Sequence, residues 1–136
     1  MKERSTQNLK HEPVPLAIVG GGAAGMFAAA VAAERKVGCL VFERKVRLGA
    51  KMLMTANGRC NFTKDISAEQ MLEDIGEPVA SFVAPALRRC PPSMIAAGFK
   101  VRGLAVKRRA DGCLFPASER AADVVHVFGE IGRAHV

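Results

Sequence analysis

Leu16-Ala17-Ile18-Val19-Gly20-Gly21-Gly22-Ala23-Ala24-Gly25-Met26 is the stretch on which the fold turns. Its opening four residues are an apolar run of the kind a buried strand shows. Gly20 to Gly22 break the run. Ala23 to Lys36 is rich in Ala, with Met and Phe, and predicts a helix. Arg35 and Lys36 fall in its expected last turn, where cations complement the helix dipole. Gly38 is placed to supply a left-handed cap. Cys39-Leu40-Val41-Phe42 is a second apolar run, ended by Glu43. Strand, helix and strand with tight connections make a βαβ unit, with parallel strands and a right-handed crossover.

Each residue of the turn then has a physical task. Gly20-Gly21-Gly22-Ala23-Ala24-Gly25 fits G-x-G-x-x-G, a pattern that is weak alone and gains weight between a strand and a helix. Gly20 permits the tight bend. Gly22 has no side chain, so a pyrophosphate can come close to the backbone. The helix start, through Ala23, Ala24 and Gly25, offers unpaired N–H groups and about half a positive charge. Gly25, Ala29 and Ala33 form one smooth helix face for close packing on the sheet. Glu43, at the end of the second strand, can accept both hydroxyl protons of an adenosine ribose. A carboxylate there disfavours the 2′-phosphate of NADP, and leaves FAD and NAD both open.

Beyond Glu43 the pattern changes. Val46 to Asn61 holds basic residues and two glycines without sustained periodicity, and predicts a loop with a short helical turn. Ser67-Ala68-Glu69-Gln70 has capping-box spacing and should open a helix to about Ile75. Glu77 to Arg89 reads as helical, with Pro85 inside it. Pro91 and Pro92 suit the first turn of a further helix, expected to end near Gly98. Leu104 to Arg109 and Cys113 to Phe115 flank Ala110-Asp111-Gly112, a hairpin turn. Ser118 is the expected cap of a last helix from about Glu119 to Phe128.

Composition narrows the function classes. The chain has 136 residues, one ordinary domain's worth, with a formal net charge of +7. The basic residues are scattered in pairs, apart from Lys107, Arg108 and Arg109, which a solvated strand end explains. There is no Trp or Tyr, which argues against a nucleic-acid stacking platform. Cys39, Cys60, Cys90 and Cys113 form no C-x-x-C pair, so no zinc site is expected. No secretory signal is visible, and reduced thiols fit a cytoplasmic protein. Val14 to Ala33 is uncharged and long enough to span a bilayer, but its Gly and Ala content contributes little transfer energy. No membrane partner is expected. His11 falls in the polar opening segment, and His126 on the last helix, where a surface or core role outweighs catalysis.

From Val19 to Thr63 the chain resembles a known family. Its motifs are Val-Gly-Gly-Gly-Ala-Ala-Gly-Met, Phe-Glu-Arg-Lys, and Thr55-Ala56-Asn57-Gly58-Arg59-Cys60-Asn61 for the family's T-G-x-G-R-C-N. Gly112-Cys113-Leu114-Phe115-Pro116-Ala117-Ser118 matches a second, G-x-x-F-P-x-S. These are similar to the bacterial NAD(P)/FAD-dependent oxidoreductases of the aminoacetone oxidase and bile-acid reductase-like flavoproteins. The resemblance covers about Val14 to Phe128. It implies that Gly20, Gly22, Ala23, Ala24, Gly25, Glu43 and Arg44 bind the ADP half of FAD. It also implies that Lys51, Asn57, Gly58, Arg59, Cys60 and Asn61 approach the pyrophosphate or the flavin. Arg59 suits an anion, and Asn61 a polar ring edge. Cys60 is read first as a packed small residue, since no resolving cysteine is near it in sequence. Ala56 departs from the family's glycine, a mild change if that position is not left-handed. Pro85 and Gly98 also depart.

The expected fold is thus α/β: a Rossmann-like FAD-binding βαβ unit, then a mostly helical segment and a β-hairpin, in an incomplete domain. Residues 1–13 would be a flexible tail and 14–130 the amino-terminal part of the FAD-binding domain. Residues 131–136, Ile-Gly-Arg-Ala-His-Val, match one reading frame of a common sequencing adapter and are expected to be a non-native tail. The resemblance implies an oxidoreductase that moves hydride through non-covalent FAD, with NAD(P)H a candidate electron donor and a small carbonyl, amine or steroid-like substrate. Family members are much longer, so this chain alone should be inactive and hold FAD weakly. The rival, an NAD-binding dehydrogenase, predicts regular βαβ units after Glu43.

Overall fold

The computed structural model describes residues 15–133, and only the backbone of residues 131–133. The expectations for residues 1–13, His11 included, for Val14 and for 134–136 lie outside the described residues. Strand β1 (Leu16–Val19) and strand β2 (Cys39–Phe42) pair in parallel, with Leu16 opposite Cys39 and Val19 opposite Phe42. Helix α1 (Ala23–Glu34) connects them. It buries Ile18 on β1 and half-buries Cys39 and Val41 on β2. Leu40 and Phe42 point to the opposite face and stay exposed, although parallel strands are usually covered on both faces. The uncharged stretch from Pro15 to Ala33 is therefore a strand, a turn and a 12-residue helix. Such a helix is about 18 Å long, too short for a bilayer core. No helix among the described residues is long and apolar enough to cross a membrane.

The end of α1 corrects one expectation. The helix stops at Glu34, and Lys36, not Gly38, takes the left-handed conformation at φ 57°. Lys36 N–H donates to Ala33 O and Val37 N–H to Ala32 O, both at 2.9 Å. This is the Schellman closure, which satisfies the last carbonyls before Gly38 is reached.

Helix α2 (Ala50–Met54) and a 3-10 turn (Thr55–Gly58) follow β2, in the loop expected to hold a helical turn. Strand β3 (Thr63–Lys64) comes next. It pairs antiparallel with β5 (Cys113–Pro116), which also pairs antiparallel with β4 (Val106–Arg108). Two residues carry no alternation, so β3 is invisible until β5 lies beside it. The hairpin turn is as expected. Gly112 N–H donates to Arg109 O, and Asp111 Oδ1 accepts from Cys113 N–H at 2.9 Å. Of the basic run, Lys107 and Arg108 are exposed on β4, as a solvated strand end requires, while Arg109, just past it, is half-buried over the Phe115 ring. Lys107 and Arg109 pair with Glu119, and Arg108 with Asp65.

Helix α3 (Ala68–Ile75) opens on the expected capping box, with Ser67 and Gln70 exchanging backbone and side-chain bonds. Helix α4 (Val79–Arg89) carries Pro85 on its exposed side. Helix α5 (Pro92–Val101) runs through Gly98, three residues past the expected end. Phe99, 7% exposed, anchors that extra turn in the core. Gly103 and Leu104 then close the helix onto Lys100 O and Phe99 O. Helix α6 (Ala121–Arg133) starts two residues later than expected. Glu119 is left-handed at φ 54°, and Ser118 Oγ accepts from Arg120 N–H and donates to Asp123 instead of capping residue 119. His126 is exposed on this helix.

The core lies between α5, α6 and the loop before β3. Cys60, Phe99, Leu104, Ala121, Val124 and Val127 are buried together. Phe62 and Phe128 close on either side of Phe99, with ring centroids at 4.9 and 5.1 Å. Tilted and edge-on pairs at such distances add to the gain from burial.

Candidate functional site

The glycine turn is built by steric exclusion. Gly20 sits at φ 100°, which favours glycine. Its N–H donates to Phe42 O at 2.8 Å, tying the turn to the end of β2. A Cβ on Gly25 would lie 1.8 Å from Gly20 O and 3.3 Å from Ile18 Cγ2, so only glycine lets α1 start this close to β1. At Gly22 a Cβ would meet nothing within 4 Å. The mouth of the turn is therefore open to a ligand at Gly22 and closed by packing at Gly25. Gly22 is the N-cap of α1 and brings no capping side chain, and the first turn contains no acid. Helix geometry leaves the first amides without intrahelical acceptors. With the dipole behind them, they suit an anion.

Glu43 stands at this mouth. Its Oε2 accepts from Gly21 N–H and its Oε1 from Lys45 N–H, each at 2.7 Å. The bonds from Lys45 and Gly21, helped by the Arg44 main chain and charge, hold the carboxyl below its ordinary value of 4.5. It is thus ionised at neutral pH. Arg44, Lys45, Arg47 and Lys51 come next, and none enters an ion pair among the described residues. The sequence marked Glu43 and missed the two amides that hold it.

Leu48 and Gly49 were also missed. Gly49 N–H donates to Gly21 O at 2.7 Å. A Cβ on Gly21 would meet Leu48 Cδ2 at 2.3 Å, so Leu48 packs on the turn. Gly49 is left-handed at φ 66°, and a Cβ there would lie 2.7 Å from Val125 Cγ2. The start of α2 is therefore wedged between the glycine turn and α6. The only sequence signal was a glycine within a basic loop.

Of the second group of expected residues, all but Lys51 lie beyond the other end of α2. Lys51 is exposed on α2. Ala56, Asn57, Gly58 and Cys60 all have positive φ, at 47°, 55°, 82° and 59°. Ala56 thus occupies a left-handed position, and its replacement of glycine is not mild. Arg59 Nε donates to Ala56 O at 3.0 Å, and its charge adds a little to the lowering of the Glu119 carboxyl, which the bond from Lys107 dominates. Asn61 Nδ2 donates to Cys113 Sγ at 3.3 Å. Cys60 is 3% exposed, and burial pushes its thiol up from the ordinary 9.0. A thiol so placed is a packing group. No hydrogen bond or ion pair among the described residues joins Asn57 to Asn61 directly to the glycine turn. The link runs through α2, about 7.5 Å long.

A parallel βαβ unit with an open, uncapped helix start and an acid bonded into the turn defines a Rossmann-type dinucleotide fold. Residues 14–135 match the family described as "HI0933-like protein Rossmann domain", and the chain belongs to that family, which is of FAD-dependent oxidoreductase type. It is 34% identical over 114 residues, 82% of this chain, to a 3-dehydro-bile acid delta(4,6)-reductase of Clostridium scindens. It is 46% identical over 46 residues, 34% of this chain, to ribosomal RNA dihydrouridine synthases of Escherichia coli and Haemophilus influenzae. The matched segments are 27% of the length of the first relative and 12% of the other two.

Proposed function

We propose that this chain holds the ADP half of FAD in a flavin-dependent oxidoreductase. The observation that carries the reading is Glu43, bonded to the Gly21 amide beside an uncapped helix start. Each carboxylate oxygen accepts one backbone bond and keeps a second acceptor position. Those two positions are what the two hydroxyls of a ribose require. Gly20 bends the chain, Gly22 admits the pyrophosphate, and the amides of Ala23, Ala24 and Gly25 receive it. Arg44 and Lys51 add positive charge. Asn57, Gly58, Arg59 and Asn61 form the flavin side, with Cys60 packing that loop in place. FAD, when bound, supplies the hydride chemistry, and the protein supplies position and polarity.

The chain beyond β2 favours FAD over NAD. A dinucleotide domain of the dehydrogenase kind continues in βαβ units, whereas here β2 leads into a cationic loop, a short helix and an antiparallel sheet. The relatives' names point to unlike substrates, a bile acid and ribosomal RNA. What such proteins share with this chain is better explained by a common cofactor than by a common substrate. We take the substrate to be a small molecule, with NAD(P)H as electron donor, in the cytoplasm, where the free thiols among the described residues are stable. By itself the chain would bind FAD weakly and catalyse nothing.

The test is titration of the purified chain with FAD, NADH and ADP, read out by amide chemical shifts. The expected result is that ADP and FAD shift Gly21 to Met26 and Glu43, with NADH weaker than FAD. Binding of NADH in preference to FAD, or no response of these amides to any of the three, overturns the reading.

A further inference from the structure

A second cleft lies away from the glycine turn. It runs between α1 and the corner where α4 passes into α5, with Phe128 of α6 at its back, and encloses about 750 Å³. That volume is within the usual range of small-molecule sites, roughly 300–1,000 Å³. It reaches Arg35, which caps the carboxyl end of α1. The glycine turn is at the other end of that helix, about 18 Å away.

Its walls are apolar and its rim is cationic. Phe27, Val31, Met94, Ile95 and Phe99 contribute apolar surface. Phe27 and Met94 remain 37% and 58% exposed, so an apolar body lying between them would remove that surface from water. Three arginines and one acid reach the cleft. Arg102 pairs with Glu34 and also donates to Gly98 O at 2.9 Å, which neutralises the acid. Arg35 and Arg89 have no ion pair and no side-chain hydrogen bond among the described residues. The carboxyl end of α1 contributes about half a negative charge, which either guanidinium alone outweighs. The cleft thus offers two uncommitted guanidinium groups above an apolar trough.

We propose that this cleft binds an amphipathic carboxylate, with its apolar body between Phe27 and Met94 and its head on Arg35 and Arg89. A guanidinium fork matches a carboxylate with two parallel bonds. An uncharged amphiphile of equal length would bury the same surface and leave both arginines unpaired. This site is independent of the cofactor reading, because none of its lining residues belongs to the glycine turn or to the loop after β2.

Titration calorimetry of dodecanoate and dodecanol, below their aggregation limits, tests the proposal, with and without FAD. Saturable binding of one dodecanoate per chain is expected, about tenfold or more tighter than dodecanol. In R35Q/R89Q that preference should vanish while dodecanol binding stays. Val31→Trp, which fills the trough, should remove both ligands and serves as the check if the double variant misfolds. Equal binding of alcohol and acid overturns the proposal, as does no saturable binding of dodecanoate. Displacement of dodecanoate by FAD would also overturn it, by putting the ligand at the turn. Failure of FAD to bind, with dodecanoate still bound, would sink the cofactor reading alone.

Discussion

Gly21 N–H and Glu43 Oε2 are joined by a 2.7 Å hydrogen bond across 22 residues of chain. The bond closes the βαβ unit at its mouth, where the first strand turns into the helix and the second strand ends. With Lys45 N–H on the other oxygen, the carboxylate is held before a ligand arrives. A ligand therefore does not have to order this side chain, which is a cost that binding otherwise bears.

Glu43→Gln keeps one acceptor oxygen and replaces the other by a donor that faces an N–H. ADP affinity should fall by about tenfold or more. Calorimetric titration with ADP measures this, and unchanged affinity would remove Glu43 from the site. The wild-type chain has a matching pH dependence. The Glu43 pKa is lowered on folding, so its contribution is complete above the ordinary value of 4.5 and is lost as pH falls through the lower, folded value. The Gly21 amide resonance should report that transition on the acid side of 4.5 in the wild type and be flat in the variant.

Two glycines three residues apart should fail in different ways. Gly25→Ala drives a methyl into Gly20 O, a backbone atom that cannot step aside. Its cost should be about 3 kcal/mol, the upper end for overpacking, and thermal unfolding will show it. Gly22→Ala meets open space, and Gly22 is extended at φ −80°, so the melting temperature should barely move. Its methyl stands where a pyrophosphate must approach, so ADP binding should weaken sharply. Loss of stability in both variants, or in neither, would refute this division of labour.

What the sequence made legible was local. The capping box at Ser67 and the hairpin turn at Asp111 come from neighbours in the chain, and the parallel pair around the glycine turn from a strand–helix–strand pattern with tight connections. What it hid depends on distant partners. Strand β3 exists because Leu114 and Cys113 lie opposite Thr63 and Lys64. Helix α5 outlasts Gly98 because Phe99 has a core to enter. Leu48 and Gly49 matter because Gly21 and Val125 come to meet them. The candidate site was legible to the same degree: the turn and its acid by motif, the amides that hold the acid only by structure.

Ala56 at φ 47° is a case where the family's glycine has a physical reason. A left-handed conformation costs an alanine about 1 kcal/mol or more. Ala56→Gly removes that strain but loosens the unfolded chain, which offsets part of the gain. The net effect should be a rise in stability of up to about 1 kcal/mol, read from urea unfolding midpoints at constant slope. A fall in stability would mean that the left-handed turn is not retained in solution.

Cys60 sits beside the loop motif, where a redox role is tempting, and its environment argues the other way. It is 3% exposed and packed with Phe99, Leu104 and Val124, whereas Cys39, Cys90 and Cys113 are half-buried. Burial raises its pKa, so folding favours the neutral thiol. That contribution is complete below the ordinary value of 9.0 and is lost as pH rises through the higher, folded value. At neutral pH the thiolate, which is the reactive form, is scarce. Brief treatment with iodoacetamide at about pH 7.5, with peptide mass spectrometry as the readout, should label Cys39 ahead of Cys60. Cys60 should react only under conditions that unfold the domain. Labelling of Cys60 at the rate of Cys39 in the folded protein would mean that the core around Phe99 opens, and would reopen the redox reading that its burial argues against.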